Sequence, residues 1–119
     1  MTSLDIQIKR VYEAPAKSDG FRVLVDRLWP RGVKKEDLPY DLWLKDITPS
    51  TELRKWFHAD PDHWQGFKTR YRLELDERIE SVALLREKAA QTRVTLLFAS
   101  KNPEHNHAII LRDYLLGKD

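Results

Sequence analysis

The chain predicts a small α/β domain, a mostly parallel sheet of about four strands with helices packed on it. Three observations carry that expectation. Phe21–Arg27 and Val94–Ala99 are short runs with apolar residues on both faces, the pattern of strands covered on either side. Between them lies the longest helix-periodic segment of the chain. The connection is long enough for a right-handed crossover that would set the two runs parallel. At 119 residues, the expected organisation is one domain over 1–119, since domains commonly run ~100–150 residues.

The elements follow in order. Leu4, Ile6 and Ile8 alternate with Asp5, Gln7 and Lys9, which reads as a half-exposed strand to about Val11. Glu13 to Gly20 reads as a loop. In the next strand Phe21, Val23 and Val25 share one face, with Leu24 and Leu28 on the other. Pro30 cannot donate to a ladder and closes it. Lys34 to Leu38 predicts one helical turn, and Leu42 to Lys45 a weak third strand.

Thr48-Pro49-Ser50-Thr51-Glu52 holds the cap choices, a first-turn proline and the early acid of a helix start. Leu53, Trp56 and Phe57 give that helix its apolar face. Asp60-Pro61 opens the long segment, where Trp64, Phe67, Tyr71, Leu75, Ile79, Val82 and Leu85 recur every three or four residues. One long helix, or two nearly continuous ones, should bury that stripe. Glu74 is expected to pair along a flank with Arg70 or Arg78. Asn102-Pro103-Glu104 predicts the start of the last helix, capped by Asn102, and Gly117 its end.

Composition narrows the chemistry. With 41% hydrophobic and 34% charged residues the chain is an ordinary globular sequence. The formal charge of +2 is too small to argue for nucleic acid by bulk electrostatics. The absence of cysteine excludes disulfides, thiolate catalysis and Cys-ligated metal. No apolar run approaches ~18 residues and no apolar leader follows Met1, so neither membrane nor export is expected and a cytoplasmic location is. His58 and His63 flank Asp60 and Asp62, but the spacing matches no standard zinc pattern, so no metal is assigned. Phosphate-loop and dinucleotide glycine fingerprints are also missing, and no cofactor is expected.

In open α/β sheets ligands bind beyond the carboxyl ends of the strands. There the chain places Asp26, Arg27 and Arg31, then Lys45 and Asp46 ahead of Ser50, then Ser100 and Lys101. His107 shares a helix face with Leu111 and Tyr114, close to a helix start whose free N–H groups favour an anion. The expected site is therefore anionic. Arg27, Arg31 and Lys45 would grip a phosphorylated or nucleotide-like small ligand. Asn106 would orient it, Ser50 would add a hydroxyl, and His107 is the candidate general base if the site is catalytic. The bland readings stand beside these: Ser50 as a cap only, His107 as a satisfied buried histidine, and Trp29, Trp43, Trp56 and Trp64 as core or rim packing.

Arg22 to Gly32, RVLVDRLWPRG, resembles the signature of the YeaO-like proteins, uncharacterised bacterial proteins within the domain of unknown function 488. Trp43-Leu44-Lys45, Pro49-Ser50, Leu53 to Phe57, Phe67, Tyr71, Glu74-Leu75, Val94–Ala99 and Asn106-His107-Ala108 follow in the order that family shows. The resemblance spans nearly the whole chain. It implies a cytoplasmic α/β protein without an established activity. More distant members of the wider group often have Cys-His-Arg where this chain has Asn106-His107-Ala108, so the thiol and the guanidinium are lost while the histidine is kept. Two other functions compete with the anion site. One is a nucleic-acid-associated module, with Arg31, Lys34, Lys35, Arg54 and Lys55 on a rim and Trp29 or Trp56 stacking bases. The other is a non-catalytic partner-binding domain; the sequence leaves the oligomeric state open.

Overall fold

In the computed structural model, which describes residues 4–102 and 104–118, four parallel strands form one sheet. They are β1 (Ile6–Arg10), β2 (Phe21–Leu24), β3 (Leu42–Trp43) and β4 (Val94–Phe98), in the order β1-β4-β2-β3. Four helices follow the same chain: α1 (Thr51–Ala59), α2 (Trp64–Asp76), α3 (Ile79–Gln91) and α4 (His107–Leu115). Val23 pairs with Leu96 and Leu24 with Leu97, so the two doubly apolar strands lie parallel side by side at the centre. No helix among the described residues is long and apolar enough to cross a membrane.

The two faces of the sheet are covered differently. Ile6, Val23, Val25, Val94, Leu96 and Phe98 join one large core with Leu53, Phe67, Tyr71, Leu75, Val82, Leu85, Ile110, Leu111 and Leu115 from all four helices. Fully burying a side chain of this size contributes roughly 1.5–3 kcal/mol. On the other face Leu24, Leu97, Val11 and Leu38 make a smaller cluster beneath Trp29, Val33 and Trp43. Loops partly cover that side, so Gln7 and Lys9 on the half-exposed β1 are half-buried and find polar partners there. Lys9 and Gln7 bond the carboxylate of Asp19, which also pairs with Arg22. Gly20 turns this loop into β2 at φ +67, and a Cβ there would lie 2.3 Å from the Arg93 carbonyl oxygen.

Several expectations need correction. The ladder of β2 stops well before Pro30: Val25 N–H still reaches Leu97 O at 3.0 Å, and then the Asp26 side chain takes over. Leu28 consequently faces solvent, 72% exposed, instead of packing under the sheet. Of the one long helix or two nearly continuous ones expected, the structure forms two, broken at Arg78, whose ψ of 52° is non-helical; the correction concerns Ile79. The second helix restarts with a new phase, which leaves Ile79 74% exposed. Glu74 accepts from the backbone N–H and hydroxyl of Ser50 and so joins α2 to the start of α1. Ser50 is the cap of α1, accepting from Leu53 N–H at 3.2 Å, so Pro49 precedes the cap and is not in the first turn.

The last helix is capped by Asn106, not Asn102. The Asn102 carboxamide oxygen instead accepts from the N–H groups of Glu104 and His105, a side-chain turn that delays the helix by four residues. Pro103, part of the predicted start, lies outside the described residues. At the other end Gly117, at φ +76, and Lys118 donate to Tyr114 and Asp113, closing α4 as expected.

Candidate functional site

The segment after β2 is held by its aromatic residue. Trp29 Nε1 donates to Val33 O at 2.6 Å, and its ring packs edge-on against Trp43 at 5.7 Å. Between them the chain turns at Gly32, whose φ of +80 suits glycine, with Val33 N–H reaching Pro30 O at 3.4 Å. Arg31 is thereby presented beside the ends of β2 and β4. Asp26 ties these ends together. Its backbone carbonyl accepts from Trp43 Nε1 at 2.7 Å, and its Oδ2 accepts from Ala99 N–H at 2.9 Å.

His107 closes the same junction from the first residue of α4. Its Nε2 lies 2.7 Å from Val25 O and 3.2 Å from Asp26 Oδ1. A carbonyl oxygen can only accept, so Nε2 carries a proton and donates. Any proton exchange with a ligand is thus left to Nδ1. Tyr71 sits edge-on to the imidazole at 6.4 Å, and its hydroxyl donates to Ile47 O at 2.7 Å. Burial pushes that phenol well above its ordinary value, with the charges of Glu74 and Asp26 adding to the shift.

Around this junction opens a cavity of about 540 Å³. Asp26 to Arg31 form one side; Thr48, Pro49 and, from α1, Arg54, Phe57 and His58 form another. Ala99 to Lys101 and His105 to His107 complete it, with Phe67 from α2. Phe57 and Phe67 are stacked at 4.4 Å, and His105 is stacked on Trp64 at 4.5 Å. Four permanent cations line this space: Arg27, Arg31, Arg54 and Lys101. Among the described residues none of the four is in a salt bridge. The one carboxylate in the lining, Asp26, already accepts from Ala99 and faces His107.

Of the residues expected at the site, Arg27, Arg31, Asn106 and His107 line this cavity. Arg27 makes only long contacts, 3.4 Å to Thr48 Oγ1 and 3.5 Å to Pro49 O. Asn106 is buried with both ends of its amide engaged, accepting from Ile109 N–H and donating to Asn102 O. Two predicted residues lie elsewhere. Lys45 is exposed and rests its ammonium 4.2 Å from the centre of the Trp43 ring, because the chain enters a tight turn directly after β3. Ser50 does not line the cavity: its hydroxyl donates to Glu74 at 2.6 Å while capping α1.

Arg54, Phe57, His58 and His105 are absent from the expected anion site. The spacing of Arg54, Phe57 and His58, three and four apart, was the available signal, since such residues share a helix face. Asp60 caps the turn before α2 through Asp62 N–H, and His63 lies flat on Trp56 at 4.0 Å. Among the described residues no cluster of three or more histidines or carboxylates could hold a metal ion.

Comparison with known proteins fits this architecture to a family. The family described as "Inactive DUF488-N3 subclade" matches residues 5–118. The chain belongs to that subclade. It is 48% identical over 112 residues to the uncharacterized protein YeaO of Escherichia coli (strain K12), covering 94% of this chain and 97% of the relative. It is also 39% identical over 113 residues to the uncharacterized proteins Mb3100c of Mycobacterium bovis and Rv3073c of Mycobacterium tuberculosis, covering 95% of each chain. No solved structure matches. The YeaO-like resemblance carried by the Arg22–Gly32 segment is thus a family membership over nearly the full length.

Proposed function

We propose that this protein binds a phosphorylated or nucleotide-like anionic small ligand in the cavity at the carboxyl ends of β2 and β4, as a binder and not a catalyst. One observation carries the reading. Four cations without carboxylate partners among the described residues converge on one cavity. Charges arranged in this way repel one another, and an entering anion relieves that repulsion while accepting charge-assisted hydrogen bonds. A volume near 540 Å³ falls within the ordinary range of small-molecule sites.

The non-catalytic part of the reading has its own support. His107 Nε2 is held by Val25 O and Asp26, which suits a residue that fixes the strand ends more than one that shuttles protons. The chain has no cysteine to serve as nucleophile, and its subclade is described as inactive. Of the rim a nucleic-acid module would use, Lys34, Lys35, Lys55 and Trp56 lie outside the cavity lining. The test is a melting series with inorganic phosphate, pyrophosphate, sugar phosphates and nucleotides. At least one class should raise the melting temperature, and Arg27→Ala should remove the rise. Flat melting curves across the whole panel would end the proposal.

A further inference from the structure

From the arrangement of charge and aromatic surface inside the cavity, we infer that the ligand is a nucleoside monophosphate, with its phosphate on Arg54 and Arg27 and its base along the Phe57, His58 and His105 wall. This rests on the anion-site reading above and narrows it to one chemical class.

The charged end is set by Arg54. This residue lies in the first turn of α1 and lines the cavity. Its Nε is buried without an acceptor among the described residues. Its Nη2 has only a long contact, 3.4 Å, to Thr51 Oγ1 at the start of the helix. That Nε is closed off from the cavity, so the guanidinium's Nη groups, of which Nη2 has only that long contact, are the donors an entering anion would meet. Arg27 lines the same cavity, its Nη2 3.5 Å from Pro49 O, just ahead of α1. Two guanidiniums on the α1 side of one cavity suit the several oxygens of a phosphate monoester.

The uncharged end is set by the next turn of the same helix. Phe57 and His58 stand three and four residues beyond Arg54, on the same face and also in the cavity lining. Phe57 is fixed by stacking on Phe67, and His105 is fixed by stacking on Trp64. Rings already held in place lose little freedom when a further ring joins them. A phosphate sensor would need only the charged end, and a sugar phosphate would leave the aromatic wall unused. A planar base attached to a phosphate uses both.

The experiment is isothermal titration of the full chain with adenosine, guanosine, cytidine and uridine monophosphates, ribose 5-phosphate, inorganic phosphate and the parent nucleosides. The best nucleotide should bind at least about tenfold more tightly than ribose 5-phosphate, the size of one base-stacking contribution. Arg54→Gln should weaken both by about tenfold. His58→Ala and His105→Ala, at exposed positions that do not endanger the fold, should weaken the nucleotide alone. Equal affinities for nucleotide and ribose 5-phosphate would overturn the inference and leave the anion site standing. A nucleoside as tight as its monophosphate would overturn the anchoring role of Arg54. Absence of binding by every phosphate compound would remove both this inference and the anion reading beneath it.

Discussion

Two groups of cations flank the central strands and are treated in opposite ways. Lys9 and Arg22, on the loop-covered face of the sheet, share the carboxylate of Asp19, and Arg22 Nε also donates to Pro39 O at 2.6 Å. Arg27, Arg31, Arg54 and Lys101, at the strand ends, share a cavity and, among the described residues, no salt-bridge partner. The residue types are the same. What separates the two groups is the partner the fold supplies. The first group should fail when its carboxylate is removed, and the second should barely register the loss of any one member until an anion is present.

The largest effect is therefore expected at Asp19. Its side chain is 2% exposed and accepts from Lys9, Arg22, Gln7 and the Ala16 backbone. Removing it leaves two cations facing an interior without a counter-charge, a change that costs about 3–5 kcal/mol. Asp19→Ala should lower the urea midpoint accordingly; a loss under about 1 kcal/mol would erase the distinction drawn above. The same carboxylate sets a pH dependence. Burial pushes its pKa up, but the hydrogen bonds from Ala16, Lys9 and Arg22 outweigh burial and hold it below the usual carboxylate value. A depressed folded value means the contribution is complete above about pH 4 and fades as pH falls through the folded pKa. Asp19→Asn should accordingly flatten the acid limb of a stability profile.

The difference between the two groups also shows what a sequence exposes. The strand cores of β2 and β4 were legible because burial on both faces writes a local apolar run, and Arg27 and Arg31 were legible because they follow such a run. Asp19 was not, since its partners at Lys9 and Arg22 meet it only once the loop folds over the sheet. Lys45 looked like a strand-end donor, yet one tight turn carries it onto Trp43. Asn102 and Asn106 offer the same capping chemistry four residues apart. Only the local turn made by Asn102 decides that Asn106 starts α4. Arg54 belongs to the cavity because of how α1 is rotated against the sheet, and that rotation is a property of packing.

Between the extremes lie two changes that sharpen the boundary of the site. Tyr71→Phe leaves Ile47 O without its buried donor and should cost about 1–3 kcal/mol in urea unfolding. The phenol's raised pKa gives stability that is complete below about pH 10 and is lost as pH climbs through the folded value. The phenylalanine variant should lack that alkaline loss. Ser50→Ala removes the cap of α1 and a hydrogen bond to Glu74, for about 1 kcal/mol. Because Ser50 does not line the cavity, the melting rise produced by a phosphate ligand should be the same size in this variant as in the parent. A reduced rise would bring Ser50 back into the site.

The smallest effect is expected where the charge density is highest. Arg31 is exposed, and Arg27 makes only contacts of 3.4 and 3.5 Å. Without a ligand, Arg27→Ala and Arg31→Ala should each shift stability by no more than about 0.5 kcal/mol. The sign should lean toward stabilisation at low salt, since each change relieves repulsion among neighbouring cations. Sodium chloride near 0.15 M screens over about 8 Å and should shrink that gain. Phosphate at matched ionic strength should then stabilise the parent and not the Arg27 variant, because binding requires the donor and screening does not. If Arg27→Ala instead costs more than about 1.5 kcal/mol with no ligand present, Arg27 is held by the fold as Arg22 is, and the two groups of cations are one kind.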